Sequence, residues 1–213
     1  MIISVMMDPD NPNDMKRWDR FRDGDDLALS AIYSDNVVSL YQYGLKFTVN
    51  RDLIEDTIHD LFLDLIRNRK TIGDTDNIQF YLFKSFRRKL FRRLKKELRY
   101  TDNLLSDMMF DISYSVEQEI ISGEQRDNTS RSVLNAIEKL SPRQKEAIYL
   151  RFNKELDYNE ISGILGMGIE ASRNLVYRAI KSLKESILKA GGGSVLLFIL
   201  KKITSSLKKI QFQ

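Results

Sequence analysis

The chain has 213 residues, long enough for one large or two small domains, and 34 Lys plus Arg against 30 Asp plus Glu, a net charge of only +4. It has no Cys and a single His, which excludes disulfides, thiolate metal sites and His–Cys zinc centres. Three Pro, two of them before residue 13, and apolar residues at three-and-four spacing nearly throughout predict an all-α protein. The opening MIISVMM lacks a basic flank and is too short for a signal sequence. No apolar run approaches the roughly 20 residues of a membrane span, so the expectation is a cytoplasmic protein with no transmembrane segment.

Residues 1–14 are rich in Asp, Asn and Pro and read as a disordered N-terminus. From Trp18 to Phe47, the positions Leu27, Ile32, Tyr33, Val37, Leu40, Tyr41 and Leu45 predict one or two packed helices, with Asp23, Gly24 and Asp25 as turn and cap. The next stretch, RDLIEDTIHDLFLDLIRNRK, puts Ile54, Ile58, Leu61, Phe62 and Leu65 on one helical face and Asp52, Asp56, Asp60 and Asp64 in a row on another. Like charges at that spacing repel by a few tenths of a kcal/mol per pair, which a partner would relieve. A solvated acidic face is the plainer alternative. His59 in the same helix has no second ligand near it and reads as surface or interface.

After a polar loop the charge changes sign. In FYLFKSFRRKLFRRLKKELRY, Leu82, Phe86, Leu90 and Leu94 form the buried stripe, while Tyr81, Lys84, Arg88, Phe91 and Lys95 run along the opposite side and mix aromatic rings with cations. Cations alone suit phosphates, acidic lipid or acidic protein; interleaved rings suit stacking on unpaired bases. The alternative is that Tyr81 and Phe91 belong to a helix contact.

Residues 101–130 turn polar without a sustained period and read as a linker, with a short helix near 116–121. A second domain begins with Val133, Ile137 and Leu140, and Ser141 caps a helix with Pro142 at its first position. YNEISGILGMGIEASRNLVYRAIKSLK then describes two helices around a corner. Tyr158, Ile161, Ile164 and Leu165 make the first apolar face, Gly166 stops it where positive φ is wanted, and Val176, Ile180, Leu183 and Ile187 make the second. This is a helix-turn-helix, with Asn174, Tyr177, Arg178 and Lys181 on the outer face as candidate major-groove contacts. A glycine run separates it from SVLLFILKKITSSLKKIQFQ, a basic amphipathic tail.

GDDLALSAIYSDNVVSLYQYGLKF, DLIEDTIHDLFLDL, IQFYLFKSFRRKL and LSPRQKEAIYLRFNKELDYNEISGILGMGIEASRNLVYRAIKSLKE together resemble regions two and four of the extracytoplasmic-function (ECF) bacterial RNA polymerase sigma factors. The resemblance implies two small helical domains on a flexible linker: residues 15–100 for polymerase binding and promoter melting, 101–130 the linker, 131–189 the helix-turn-helix domain, and a tail at 190–213 outside it. It implies core RNA polymerase and promoter DNA as partners, and leaves room for an anti-sigma factor. Carried onto this chain, Glu55, Asp56 and Asp60, beside Asp52 of the same stripe, fall where the family binds core polymerase. Tyr81, Arg87 and Arg88, with Lys84, Phe91 and Lys95 on the same helix, face melted DNA, and the loop 68–77 lies where the family captures a flipped base. Arg173, Asn174, Tyr177 and Arg178, with Lys181, match the recognition helix for the upstream promoter element. Ser172 and Leu175 depart from the family pattern, replacing a β-branched apolar residue and a frequent cation, so promoter sequence does not transfer.

No nucleophile sits with a base, no glycine loop suits phosphate and no metal cluster is legible, so the expectation is no enzyme, no cofactor and no small-molecule substrate. The main alternative is a helix-turn-helix regulator that binds duplex DNA without programming polymerase. A membrane-surface adaptor using the basic helix and tail is a third.

Overall fold

The computed structural model describes residues 12–98, 110–111 and 135–189. The expected disorder of residues 1–11, the helix near 116–121 and the tail at 190–213 lie outside them. The chain divides into two compact units, Met1–Asp102 and Asn103–Gln213. All the regular elements among the described residues are helices.

The first unit is a bundle of α1 (Pro12–Arg22), α2 (Asp26–Gly44), α3 (Arg51–Asn68) and α4 (Ile78–Leu98). The turn between α1 and α2 is made by Gly24 at φ +99 and capped by Asp25, whose carboxylate accepts from the backbone N–H of Leu27 at 2.9 Å and Ala28 at 3.2 Å. Arg20 bonds the same carboxylate and, with the two backbone donors, holds its pKa below the ordinary aspartate value. Asn50 caps α3 through Leu53 N–H at 3.1 Å, and Asn77 caps α4 through Phe80 N–H at 2.8 Å.

The helix α1 begins earlier than the sequence reading allowed, so the proposed disordered segment loses residues 12–14 to its first turn. Tertiary contact supplies the reason. Asp14 accepts from the backbone N–H of Ile78 at the start of α4, 3.3 Å away, and partial burial raises its pKa against the opposing pull of that bond.

The α4 helix sits on α2 through aromatic rings. Tyr43 lies 4.9 Å from Phe83 and 5.1 Å from Phe47, ring centre to ring centre, and all three rings are buried. Leu82, Phe86, Leu90 and Leu94 are buried as the apolar stripe predicted. Gly44, the last residue of α2, lets α3 approach: a Cβ there would stand 2.7 Å from Ile54 Cγ2 and 3.1 Å from Phe86 Cζ.

In the second unit, α5 (Pro142–Phe152), α6 (Tyr158–Leu165) and α7 (Ile169–Lys189) follow a helical segment at 135–138. Ser141 and Gln144 form a capping box at the start of α5, with Pro142 in its first turn, and Asp157 and Glu160 form another on α6. Gly166 ends α6 at φ 65, ψ 43, the left-handed conformation its position called for. Ala136, Leu140, Ala179, Leu183 and Ile187 make one buried cluster; Ala179 rather than Ile180 is the buried residue at that turn of α7. Phe110, read as part of the linker, is buried against Tyr149 at 5.8 Å, while Asp111 pairs with Lys145 at 3.6 Å.

Gly44→Ala is expected to destabilise the first unit by about 1–3 kcal/mol, because Ile54 and Phe86 are buried and must shift to admit the methyl group. A lower urea midpoint with an unchanged m-value is the expected result.

Candidate nucleic-acid interface

The acidic row of α3 meets the basic helix of the same chain. Lys89, buried at 9% exposure, bonds the Asp64 carboxylate; Arg93 bonds Asp60 and approaches Asp56 at 3.7 Å. Acids four residues apart on α3 thus face bases four residues apart on α4 in antiparallel register. Three carboxylates of the row, Asp56, Asp60 and Asp64, are met by cations of the same bundle. Exposed pairs contribute only about 0.2–1 kcal/mol each, so the seam's larger effect is to fix which way α4 presents its remaining cations. Lys89 is also the main cause of a depressed Asp64 pKa, with Arg67 and Arg92 adding smaller attractions. Asp52, Glu55, Asp56 and Asp60 all stay exposed on the outer edge of α3. Glu55 and His59 reach a groove of about 400 Å³ whose other walls are Tyr33, Val37, Val38, Tyr41 and Ile58.

Of the residues expected along the outer face of α4, Lys84, Arg88 and Lys95 are exposed, and Arg92 and Lys96 join them. Phe91 is a correction. It is buried at 7% exposure, edge-on to Phe47 at 5.1 Å, with the half-buried Arg87 guanidinium 4.2 Å from its ring centre. The single-face wheel failed because α4 packs against α1, α2 and α3, so its buried arc is wide enough to take both Leu90 and Phe91. Tyr81 is half-buried and tilted on Trp18, 4.9 Å between ring centres, rather than standing free. Lys84 lies 5.3 Å from the Phe80 ring.

Trp18 was absent from the expected site, yet it organises the loop 68–77. Its indole N–H donates to Gly73 O at 3.0 Å, and Arg22 bonds Asp74. Asp14 fixes the loop's exit at Ile78. The backbone of Thr71 and Ile72 folds back on Asn68 O at 2.8 and 3.0 Å, and Thr75 and Asn77 tie the other end. A large aromatic between charged residues just ahead of a glycine turn was the only sequence signal of this anchor.

In the second unit Arg173, Asn174, Tyr177, Arg178 and Lys181 are all exposed on α7, with Tyr177 at 66%. Ser172, the departure from the family pattern, is buried. Its hydroxyl lies 2.9 Å from Tyr158 O and 2.7 Å from Ile169 O, so a polar bond joins the two helices where an apolar residue would only fill space. Arg151, also buried, donates to Leu156 O at 2.8 Å and stands 4.7 Å from the Tyr158 ring.

These two surfaces define a class: an all-helical protein with a cationic helix on one unit and a helix-turn-helix on the other. The family described as Sigma-70, region 4 matches residues 130–183. The chain is 23% identical over 176 residues to ECF RNA polymerase sigma factor BldN of Streptomyces coelicolor, covering 83% of this chain and 66% of that one. It is 23% identical over 161 residues to ECF RNA polymerase sigma factor SigM of Bacillus subtilis, covering 74% and 94%. The fold is that of CnrH in its complex with the cytosolic domain of CnrY (TM-score 0.55, 18% identity, 83% of this chain and 97% of that one). It is also that of the sigma factor RpoE in complex with the anti-sigma factor NepR from Bartonella quintana (TM-score 0.51, 17% identity, 74% and 95%). The chain is thus similar in sequence to ECF sigma factors along most of its length, with a Sigma-70 region 4 segment in its second unit.

Asp64 gives the α3–α4 seam a pH signature. Its folded pKa is depressed, so its contribution is present above the ordinary carboxylate value of about 4 and is lost as pH falls through the lower folded value. Asp64→Asn is expected to be less stable than the parent near pH 7, with the difference closing in acid. Thermal unfolding from pH 7 to 3 measures it.

Proposed function

We propose that this chain directs core RNA polymerase to specific promoters and helps open the DNA, with the work divided between its two units. The observation that carries this reading is the coexistence, on α3 and α4, of an exposed acidic edge and an exposed cationic face locked together by the Arg93 and Lys89 bonds. A regulator that only binds duplex DNA needs the helix-turn-helix of the second unit and has no use for the first arrangement.

In this mechanism α3 offers Asp52, Glu55, Asp56 and Asp60 to a basic surface of the polymerase. Arg173, Asn174, Tyr177, Arg178 and Lys181 select the upstream element in the major groove, Arg for guanine and Asn for adenine. On α4, Lys84, Arg88 and Lys95 hold the phosphates of the separated strand while the anchored loop 68–77 receives an unpaired base. Tyr81 supplies ring surface from its place on Trp18, and Phe91 supports the helix from within. Linking two DNA-binding units raises the effective concentration of the second once the first is bound. The chain itself supplies recognition; the polymerase supplies bond formation, so this chain is not an enzyme, takes no cofactor and works in the cytoplasm where the polymerase is. An anti-sigma factor would act by covering the α2–α3 groove and the acidic edge, whose apolar walls and carboxylates suit an amphipathic basic helix.

Run-off transcription with purified core polymerase on genomic fragments tests the proposal. The full chain should create defined start sites, and Asp56→Ala with Asp60→Ala should lower its affinity for core by about tenfold or more while leaving gel-shift affinity for duplex promoter within a factor of about three. Specific duplex binding with no chain-dependent start site would put the regulator in its place.

A further inference from the structure

The first turn of α7 carries a charged pair of which the proposed interface uses only Arg173. Glu170 Oε1 accepts from Arg173 Nη1 at 2.8 Å, with both side chains more than half exposed. The Arg173 guanidinium is also 5.8 Å from the Tyr158 ring, the same ring that the buried Arg151 approaches from within the unit. Ser172, next in the chain, is bonded to the backbone of Tyr158. The pair is therefore joined, through Tyr158, to the corner of the helix-turn-helix.

A carboxylate only accepts hydrogen bonds. On the major-groove edge, guanine offers two acceptors and thymine an acceptor with a methyl group, so both repel it. Adenine pairs its amino donor with an N7 acceptor, whereas cytosine offers the N4 amino donor alone. A guanidinium has the opposite preference, donating to O6 and N7 of guanine. A carboxylate and a guanidinium held 2.8 Å apart thus complement the two bases of C·G-containing sequence better than any A·T pair. The carboxylate also weakens attraction to phosphate everywhere, which favours discrimination over raw affinity.

We infer that Glu170 is a specificity-determining residue of the recognition helix: it selects cytosine at one position of the upstream element by accepting from the N4 amino group, while its ion pair aims Arg173 at a guanine. This rests on the promoter-binding reading of the second unit. Tyr158 and Ser172 are positioning residues for the pair, since neither needs to touch DNA for it to work.

The test is transcription from a promoter library randomised across the upstream element, using holoenzyme reconstituted from core polymerase and the full chain, either parent, Glu170→Gln, Glu170→Ala or Arg173→Ala. The same library is selected in parallel by gel shift with the full chain alone. The parent should favour cytosine at one position by about tenfold over the other bases. Glu170→Ala should erase that preference there, and Glu170→Gln should move it to adenine, because a Gln amide both donates to N7 and accepts from N6. Arg173→Ala should relax a guanine instead. Retention of the parental cytosine preference in both Glu170 variants overturns the inference. So does relaxation confined to the guanine position, which would make Glu170 only a support for Arg173. If the parent shows the cytosine preference by gel shift yet starts no transcript, the sigma reading fails and this one stands; if the parent selects no base at all in the gel shift, this one fails.

Discussion

The arrangement rests on how a strongly cationic helix is held in a bundle. Eight Lys and Arg lie between Lys84 and Lys96 against one acid, Glu97, just beyond them, and such a helix repels itself. Two things restrain it. Its wide apolar arc, from Leu82 and Phe83 to Phe91 and Leu94, is buried against the other three helices. Lys89 and Arg93 then spend their charge on Asp64, Asp60 and Asp56 of α3. What remains exposed is a narrower set of cations on a helix whose rotation about its own axis is fixed. Packing, rather than total charge, decides which cations of the basic segment stay exposed on one face.

The same economy recurs in smaller form elsewhere. Trp18 is fully buried yet donates outward to Gly73, so one side chain both fills the core and holds the loop 68–77. In the second unit Arg151 is buried and its bond to Leu156 O shapes the turn into α6, while its guanidinium backs Tyr158. Ser172 closes the corner. These polar ties are few and short-range in space, and they set the direction of surfaces whose stability comes from apolar burial.

Features governed by neighbours in sequence were legible without coordinates. Ser141 with Pro142, Asp25 with Gly24, and Gly166 after Leu165 are local solutions to unpaired backbone groups, so their residue types alone locate helix ends. The exposed positions of α7 were legible for a related reason: the helix has one apolar stripe, and its outer face follows from the period. Phe91 was misread, and Tyr81 stands less free than expected, because α4 contacts three helices and a period says nothing about how wide the buried arc is. The pairing of the acidic row within the bundle had a signal too, bases at the same four-residue spacing one helix later, but only the antiparallel register shows that they meet. Phe110 sat in a polar stretch with no period around it, and a single ring filling a gap beside Tyr149 leaves no pattern to find. The family resemblance, which depended on the order of segments more than on any one of them, survives these local errors.

The most direct measurement of the account's central claim is permanganate footprinting of a promoter that the reconstituted holoenzyme transcribes, with Lys84, Arg88 and Lys95 each changed to Gln in one variant. Fixed cations on α4 that hold a separated strand predict loss of thymine reactivity across the opened segment, with duplex binding at the upstream element retained. Undiminished reactivity in that variant would contradict the account, because opening would then not depend on the face that the α3–α4 seam sets in place.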